Sequence, residues 1–221
     1  MTLETVSDLT LPELRAALAP EIAANAAFDG WGAEARDLAA DAIGADRDVA
    51  ALAFDGGAVA MIDAWFAAVD AAMLAAYPPE RVAALKIRER IAELVEARLD
   101  VLSPDRESLR RALAILAMPQ NLAAAAKLGW RTADTIWRAA GDTATDYNHY
   151  TKRAILGTVY AATVQVFLDD TSEGHADTRA FLQRRIEGIM RFERTKAQLL
   201  RKGAHRPSLS RFVSRLRYPA V

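Results

Sequence analysis

Apolar residues recur along this chain at spacings of three and four, alanine is dense and β-branched runs are short, so the pattern predicts α-helix almost throughout. Leu11 to about Phe28 forms a first helix that stops near Gly30. Glu34 to Ile43 forms a second, ended by Gly44, and Asp46 to Phe54 a short third that stops at Asp55-Gly56-Gly57. Ala58 to Tyr77 is apolar on most faces, through Met61, Ile62, Trp65, Phe66, Val69, Met73 and Leu74. That composition suits a helix buried in the middle of a bundle, with Asp63 and Asp70 expected on its wet side. Pro78 and Pro79 end it and open the next helix.

Val82 to Leu102 carries Leu85, Ile91, Leu94, Val95, Leu99 and Leu102 on one stripe. Ser103-Pro104-Asp105 reads as an N-cap, a first-turn proline and an acid placed against the helix dipole, starting a helix through about Met118. After Pro119 a helix runs to about Ala140, Gly141-Asp142 breaks the chain, and Asp146 to Leu168 follows. Past a polar linker, Asp169 to Gly174, come Asp177 to Lys202 and a short last helix, Ser208 to Arg217. The expectation is an all-α bundle of about nine or ten helices, divided into an N-terminal three-helix part (1–57), a bundle (58–202) and a terminal helix (203–221). The sequence has no internal repeat and no run of 18 apolar residues, so neither a solenoid nor a membrane span is expected.

The chain has 221 residues, 52% of them hydrophobic, which is enough for one sizeable core without a disulfide. It contains no cysteine, and its histidines are His149, His175 and His205. Thiolate chemistry, zinc knuckles and iron–sulfur clusters are thereby excluded. The Glu-x-x-His pairs of a carboxylate di-iron bundle are missing, as are a phosphate-binding GxxxxGK[ST] loop, a GxGxxG turn and a GxSxG elbow. The neighbouring acids Asp169 and Asp170 read as solvated loop charge. The reading is therefore of a protein without catalytic residues, cofactor or metal. MTLETVSDLTLPELR has neither the basic flank and apolar run of a signal peptide nor the composition of a transit peptide, which points to the cytoplasm.

A net charge of -1 hides two opposed blocks. Residues 1–76 hold thirteen acids against Arg15, Arg36 and Arg47, whereas residues 179–221 hold twelve cations against Glu187 and Glu193. Three opening helices followed by a larger bundle is the organisation of a TetR-type regulator, whose third helix reads DNA. Such a helix needs cations for the phosphates. Asp46-Arg47-Asp48-Val49-Ala50-Ala51-Leu52 offers one arginine between two aspartates, so nucleic acid is not an expected partner. At the other end Leu209, Phe212, Val213 and Leu216 fall at i, i+3, i+4 and i+7, with Arg211 and Arg215 between them. This basic amphipathic helix suits an anionic membrane surface, here the inner face of the plasma membrane. The competing reading docks it on its own bundle or on a neighbouring subunit.

The string WRAAGDTATDYNHYTKRAILGTVYAATVQVFL from Trp137 to Leu168, followed by DDTSEGHADTRAFLQRRIEGIM, resembles the ubiquinone-biosynthesis accessory family numbered ninth in the coenzyme Q pathway. The AGD-x-x-TD-aromatic-N-x-YTKR portion is its most specific part. Weaker likeness reaches back through ALAILAMPQN, RLDVLSP and DGWGAEA, so that it spans roughly residues 20–192. The resemblance implies a TetR-like helical fold that has given up DNA binding. It also implies a non-enzymatic protein that takes an isoprenoid quinone or phospholipid from the membrane and presents quinone intermediates to the demethoxyubiquinone hydroxylase. The hydroxylase-binding patch falls on Ile136, Asp146, His149 and Tyr150, with His149 where mitochondrial relatives often carry tryptophan. Asp146 also suits an N-cap. Lys152 and Arg153 read as a solvated or salt-bridged face, and Trp137 as packing. An apolar pocket between alanine-rich bundle helices would hold the lipid, with Met61, Trp65, Met73, Leu116, Tyr160 and Thr163 as candidate lining. The expected assembly is a homodimer. The alternative function is a ligand-responsive transcriptional regulator of the same fold. A third, a small-molecule enzyme, has no residue set behind it.

Overall fold

In the computed structural model, residues 6–78, 80–81, 84–143, 145 and 147–204 are described, and the described residues form helices without strands. The helices are α1 (Leu11–Asp29), α2 (Ala33–Ile43), α3 (Arg47–Ala53), α4 (Gly57–Ala76), α5 (Ile87–Leu102), α6 (Arg106–Leu116), α7 (Leu122–Ala139), α8 (Tyr147–Asp169) and α9 (Ala176–Ala204). The glycine signals place the early helix ends as the sequence predicts. Gly30 and Gly44 close α1 and α2 at φ 75°, a left-handed value that costs glycine nothing. The Asp46 carboxylate accepts from the N–H groups of Asp48 and Val49 at 2.8 and 3.1 Å, which caps α3.

Residues up to Leu182 form one compact unit, in which the three opening helices and the bundle pack together through α1 against α2, α4 and α6. A second unit begins at Gln183 within α9. In the first unit Leu18, Ile22, Ile62, Leu94, Leu102 and Leu109 are fully or almost fully buried. Trp31 ties α6 to the opening helices by donating its indole N–H to the Ser108 carbonyl at 3.0 Å, while the Ser108 hydroxyl donates to the Ala23 carbonyl. By length and composition α4 is apolar enough to cross a bilayer. Met61, Ile62, Trp65, Phe66, Val69 and Met73 nonetheless bury one side of it in the core.

Four local expectations change. The helix expected from Val82 is described only from Ile87. Ser103 does not cap a new helix: Ser103–Asp105 is a 3-10 turn, and the Ser103 hydroxyl instead meets Nε2 of His175 at 2.9 Å. Asp70 is not on a wet face. It is 6% exposed and accepts from Nε of the buried Arg98 at 2.7 Å. Asp63 pairs with Arg131 of α7. The last helix, with Leu209, Arg211, Phe212, Val213, Arg215 and Leu216, lies outside the described residues, as does His205.

Asp170 is the fourth change. While Asp169 is largely exposed, Asp170 is buried and receives four hydrogen bonds, from the N–H and hydroxyl of Ser172 and of Thr178 at 2.5–2.8 Å. Because Thr178 is in the first turn of α9, this carboxylate works as a remote N-cap. Burial alone would raise its pKa, but the bonds from Ser172 and Thr178 outweigh burial and hold it far below the usual carboxylate range. A folded pKa below the unfolded one means that the stabilisation is complete above the unfolded value, about 3.9, and is lost as pH falls through the folded value. Asp170→Ala is expected to cost about 0.5–2 kcal/mol at neutral pH, as loss of a cap does, and to flatten the acid limb of a plot of Tm against pH below about pH 4.

Candidate functional site

The specific string around residues 140–153 folds into a charged clasp at the α7–α8 corner. Gly141 turns the chain at φ 90°, and a β-carbon there would lie 3.2 Å from Nη1 of Arg90, which donates to the Ala140 carbonyl at 3.0 Å. The positive φ is what favours glycine here, since the Arg90 side chain could shift by a few tenths of an ångström. The turn aims Asp142, whose side chain is only 5% exposed, at α8. There its two oxygens take Lys152 Nζ at 2.7 Å and Arg153 Nη1 at 3.1 Å. Arg153 donates through Nε to Asp134 of α7 at 2.6 Å and through Nη1 to the His149 carbonyl at 3.1 Å. Arg153 is therefore a buried ion and not a solvated one. Lys152 also lies over the Trp137 ring, and the Trp137 indole donates to the Lys152 carbonyl at 3.0 Å. Trp137 is thus a packing residue of the corner.

On the outside of this corner stands an aromatic group. Tyr150 is 61% exposed and Trp130 39% exposed. His149 meets Tyr150 edge-on at 5.1 Å, and the Trp130 ring lies 6.0 Å from Tyr150 and 6.3 Å from His149. Of the expected partner patch, the structure therefore brings His149 and Tyr150 together and adds Trp130. Ile136 is fully buried, so the expectation of a surface contact there is corrected: its side chain faces the core. Asp146 lies outside the described residues.

Farther along α7 and α8, these helices and α6 enclose an apolar cleft of about 340 Å³, within the range of small-molecule sites. Leu109, Leu113 and Leu116 of α6 form one wall, Leu128 of α7 and Val164 of α8 the others. The room comes from small residues: Ala125 and Gly129 on α7, Gly157 and Ala161 on α8. A β-carbon added at Gly129 or Gly157 would meet nothing within 4 Å. Of the candidate lining, Leu116 and Tyr160 are in this cleft. Met61, Trp65 and Met73 are buried in the α4 core, where Trp65 stacks near Trp31 and Phe66. Thr163 is buried and turns its hydroxyl to the Val159 carbonyl of its own helix. Arg98 and Phe66, which the sequence reading did not single out, close the cleft beside Tyr160. Burial raises the Tyr160 phenol above its usual pKa against the opposing pull of Arg98, so the phenol keeps its proton.

Among the opening helices, α3 presents Asp48, Val49 and Leu52 to solvent, while Arg47 pairs with Asp41.

Comparison with known proteins bears on the α7–α8 segment. Residues 122–193 match the COQ9 family profile. The mitochondrial ubiquinone biosynthesis protein COQ9 of Rattus norvegicus is 38% identical over 118 residues, 53% of this chain and 38% of that protein. The Homo sapiens protein is 36% identical over 118 residues, covering 53% and 37%. The Xenopus tropicalis protein is 40% identical over 100 residues, covering 45% and 32%. The chain spans about two fifths of the length of the curated relatives it matches most extensively. Among solved structures, a TetR transcriptional regulator from Nitrosomonas europaea superimposes with a TM-score of 0.63 at 26% identity, over 79% of this chain and 96% of that one. The profile contains the whole AGD to YTKR string and stops short of the weaker likenesses upstream of residue 122. The chain thus has a TetR-like fold, helical throughout the described residues, and its residues 122–193 match the COQ9 family profile.

Proposed function

We propose that this protein serves ubiquinone biosynthesis as a non-enzymatic lipid carrier. The cleft between α6, α7 and α8 holds an isoprenoid quinone intermediate or a phospholipid, and the Trp130–His149–Tyr150 face docks the demethoxyubiquinone hydroxylase that receives the quinone. The observation that carries this reading is that α7 and α8 bear both an apolar cleft and an exposed aromatic group. Gly129 lines the cleft and its neighbour Trp130 stands on the aromatic face; Gly157 lines the cleft one helix segment beyond His149 and Tyr150. One helix pair thus gives both a place for an apolar ligand and an exposed aromatic cluster of the kind that anchors protein contacts. The basic amphipathic segment 208–217 completes the reading by placing the carrier, as a homodimer, on an anionic membrane surface. The outward face of α3, acidic and apolar with its arginine paired, favours this reading over operator binding.

Filling the cleft tests it. Gly157→Leu is expected to leave the fold intact, because a helix gains about 0.5–1 kcal/mol on losing an interior glycine and the first added carbon meets open space. The added branches occupy the cleft. Uptake of a quinone with a decyl tail, followed by fluorescence titration, is expected to weaken by about ten-fold or more, corresponding to the roughly 1–3 kcal/mol that overpacking costs. Mass spectrometry of solvent extracts is expected to find isoprenoid or phospholipid on the unmodified protein and less on the variant. Equal uptake and equal lipid content in both would remove the cleft from the account.

A further inference from the structure

Arg98 stands at the closed side of the cleft with one donor unspent. Its side chain is 1% exposed. Nε donates to the Asp70 carboxylate at 2.7 Å and Nη1 to the Tyr160 phenol oxygen, whereas Nη2 is buried and has no hydrogen-bond partner among the described residues. The guanidinium carbon lies 5.2 Å from the Phe66 ring and 5.1 Å from the Tyr160 ring, and all three residues line the cleft. A buried donor without an acceptor carries a desolvation cost that a ligand oxygen can remove.

The charge count decides which oxygen. Among the described residues Arg98 is the one formal charge on the cleft wall, and Asp70 already balances it. A carboxylate or phosphate brought to Nη2 would leave a net negative charge in an apolar site, which is costly. A carbonyl oxygen satisfies the same donor and adds no charge. We infer that Arg98 Nη2 anchors a neutral carbonyl oxygen at the inner end of an apolar-chain ligand, so that the ligand enters the cleft ring or carbonyl first and its chain trails along Leu113 and Leu116. This rests on the reading of the cleft as a lipid site. Nη2 is closed to a water-sized sphere, so the carbonyl reaches it as neighbouring side chains move aside.

The test uses the full chain and three probes that share a ten-carbon tail: a dimethoxy-methyl-benzoquinone, decylbenzene and decanoate. The unmodified protein is expected to bind the quinone about 10- to 100-fold more tightly than decylbenzene, the range for a hydrogen bond to a charged donor, and to bind decanoate no more tightly than decylbenzene. In Asp70→Leu/Arg98→Met, which removes both ions together and leaves no lone buried charge, quinone binding is expected to fall to the decylbenzene level while decylbenzene binding persists. Infrared difference spectra of the quinone bound to the unmodified protein supply a measurement that needs no variant: one carbonyl stretch is expected to move to lower frequency. Equal affinity for quinone and decylbenzene, an unshifted carbonyl band, a preference for decanoate, or a quinone preference that survives in the folded double variant would overturn the carbonyl anchor and leave lipid binding standing. Failure to bind any probe would overturn both.

Discussion

Asp142→Ala is expected to destabilise the protein by about 3–5 kcal/mol, because it leaves Arg153 buried with part of its charge unanswered and deprives Lys152 of its partner. For a chain of this size that corresponds to a fall in Tm of about 6–20 °C. The mechanism is specific to the corner. Asp134 continues to hold Nε of Arg153, so the loss falls on Nη1, whose other partner is the His149 carbonyl at the first turn of α8. Asp142→Asn keeps the shape and one acceptor oxygen and should cost clearly less. Urea unfolding of the two variants measures the difference. A cost below about 1 kcal/mol for Asp142→Ala would mean that the clasp adds little beyond the apolar packing of α7 on α8.

Tyr150→Ala is expected to do the reverse, leaving stability within about 0.5 kcal/mol of the unmodified protein while weakening capture of the hydroxylase by about 30-fold or more. The split follows from exposure. Tyr150 is mostly in solvent, where its ring completes the group with Trp130 and His149, so little core is lost when it is truncated. Ile136→Ala supplies the contrast: it opens a cavity in the core and should cost about 2–5 kcal/mol, so any loss of capture there follows the loss of fold. Circular dichroism and a pull-down against the hydroxylase read the two variants together. A folded Tyr150→Ala protein that captures the hydroxylase as before would take the aromatic face out of the proposed function.

Helix positions were largely legible because their signals are local. Gly30 and Gly44 act through the backbone within a few residues of themselves, and the structure uses each as the sequence suggests. The misread residues are those whose partners are distant. Asp70 reads as solvent-facing because acids on an apolar helix usually mark its outer side. Its partner Arg98 follows Leu94 by four and Val95 by three, within the apolar stripe of α5, so two opposite charges each interrupted an apolar face. That coincidence was the available signal for a buried pair. Asp170 was hidden for a different reason: it caps a helix whose first turn lies eight residues away, beyond the reach of capping patterns. The cleft was legible in kind, through the alanine-rich helices, but its walls depend on which small residues of α7 and α8 face each other, and Gly129 and Gly157 carry no polarity to mark them.

The clasp has a consequence for what the AGD to YTKR string can tell a reader of other sequences. Gly141, Asp142, Lys152 and Arg153 fasten a corner, while the cleft is shaped farther along α7 and α8 by residues such as Gly129, Gly157 and Ala161. The string is thus a mark of the scaffold and is silent about the cleft. Two proteins sharing it can differ in the size and outline of that cleft through a handful of methyl groups on the facing helices, without either one disturbing the joint that holds those helices together.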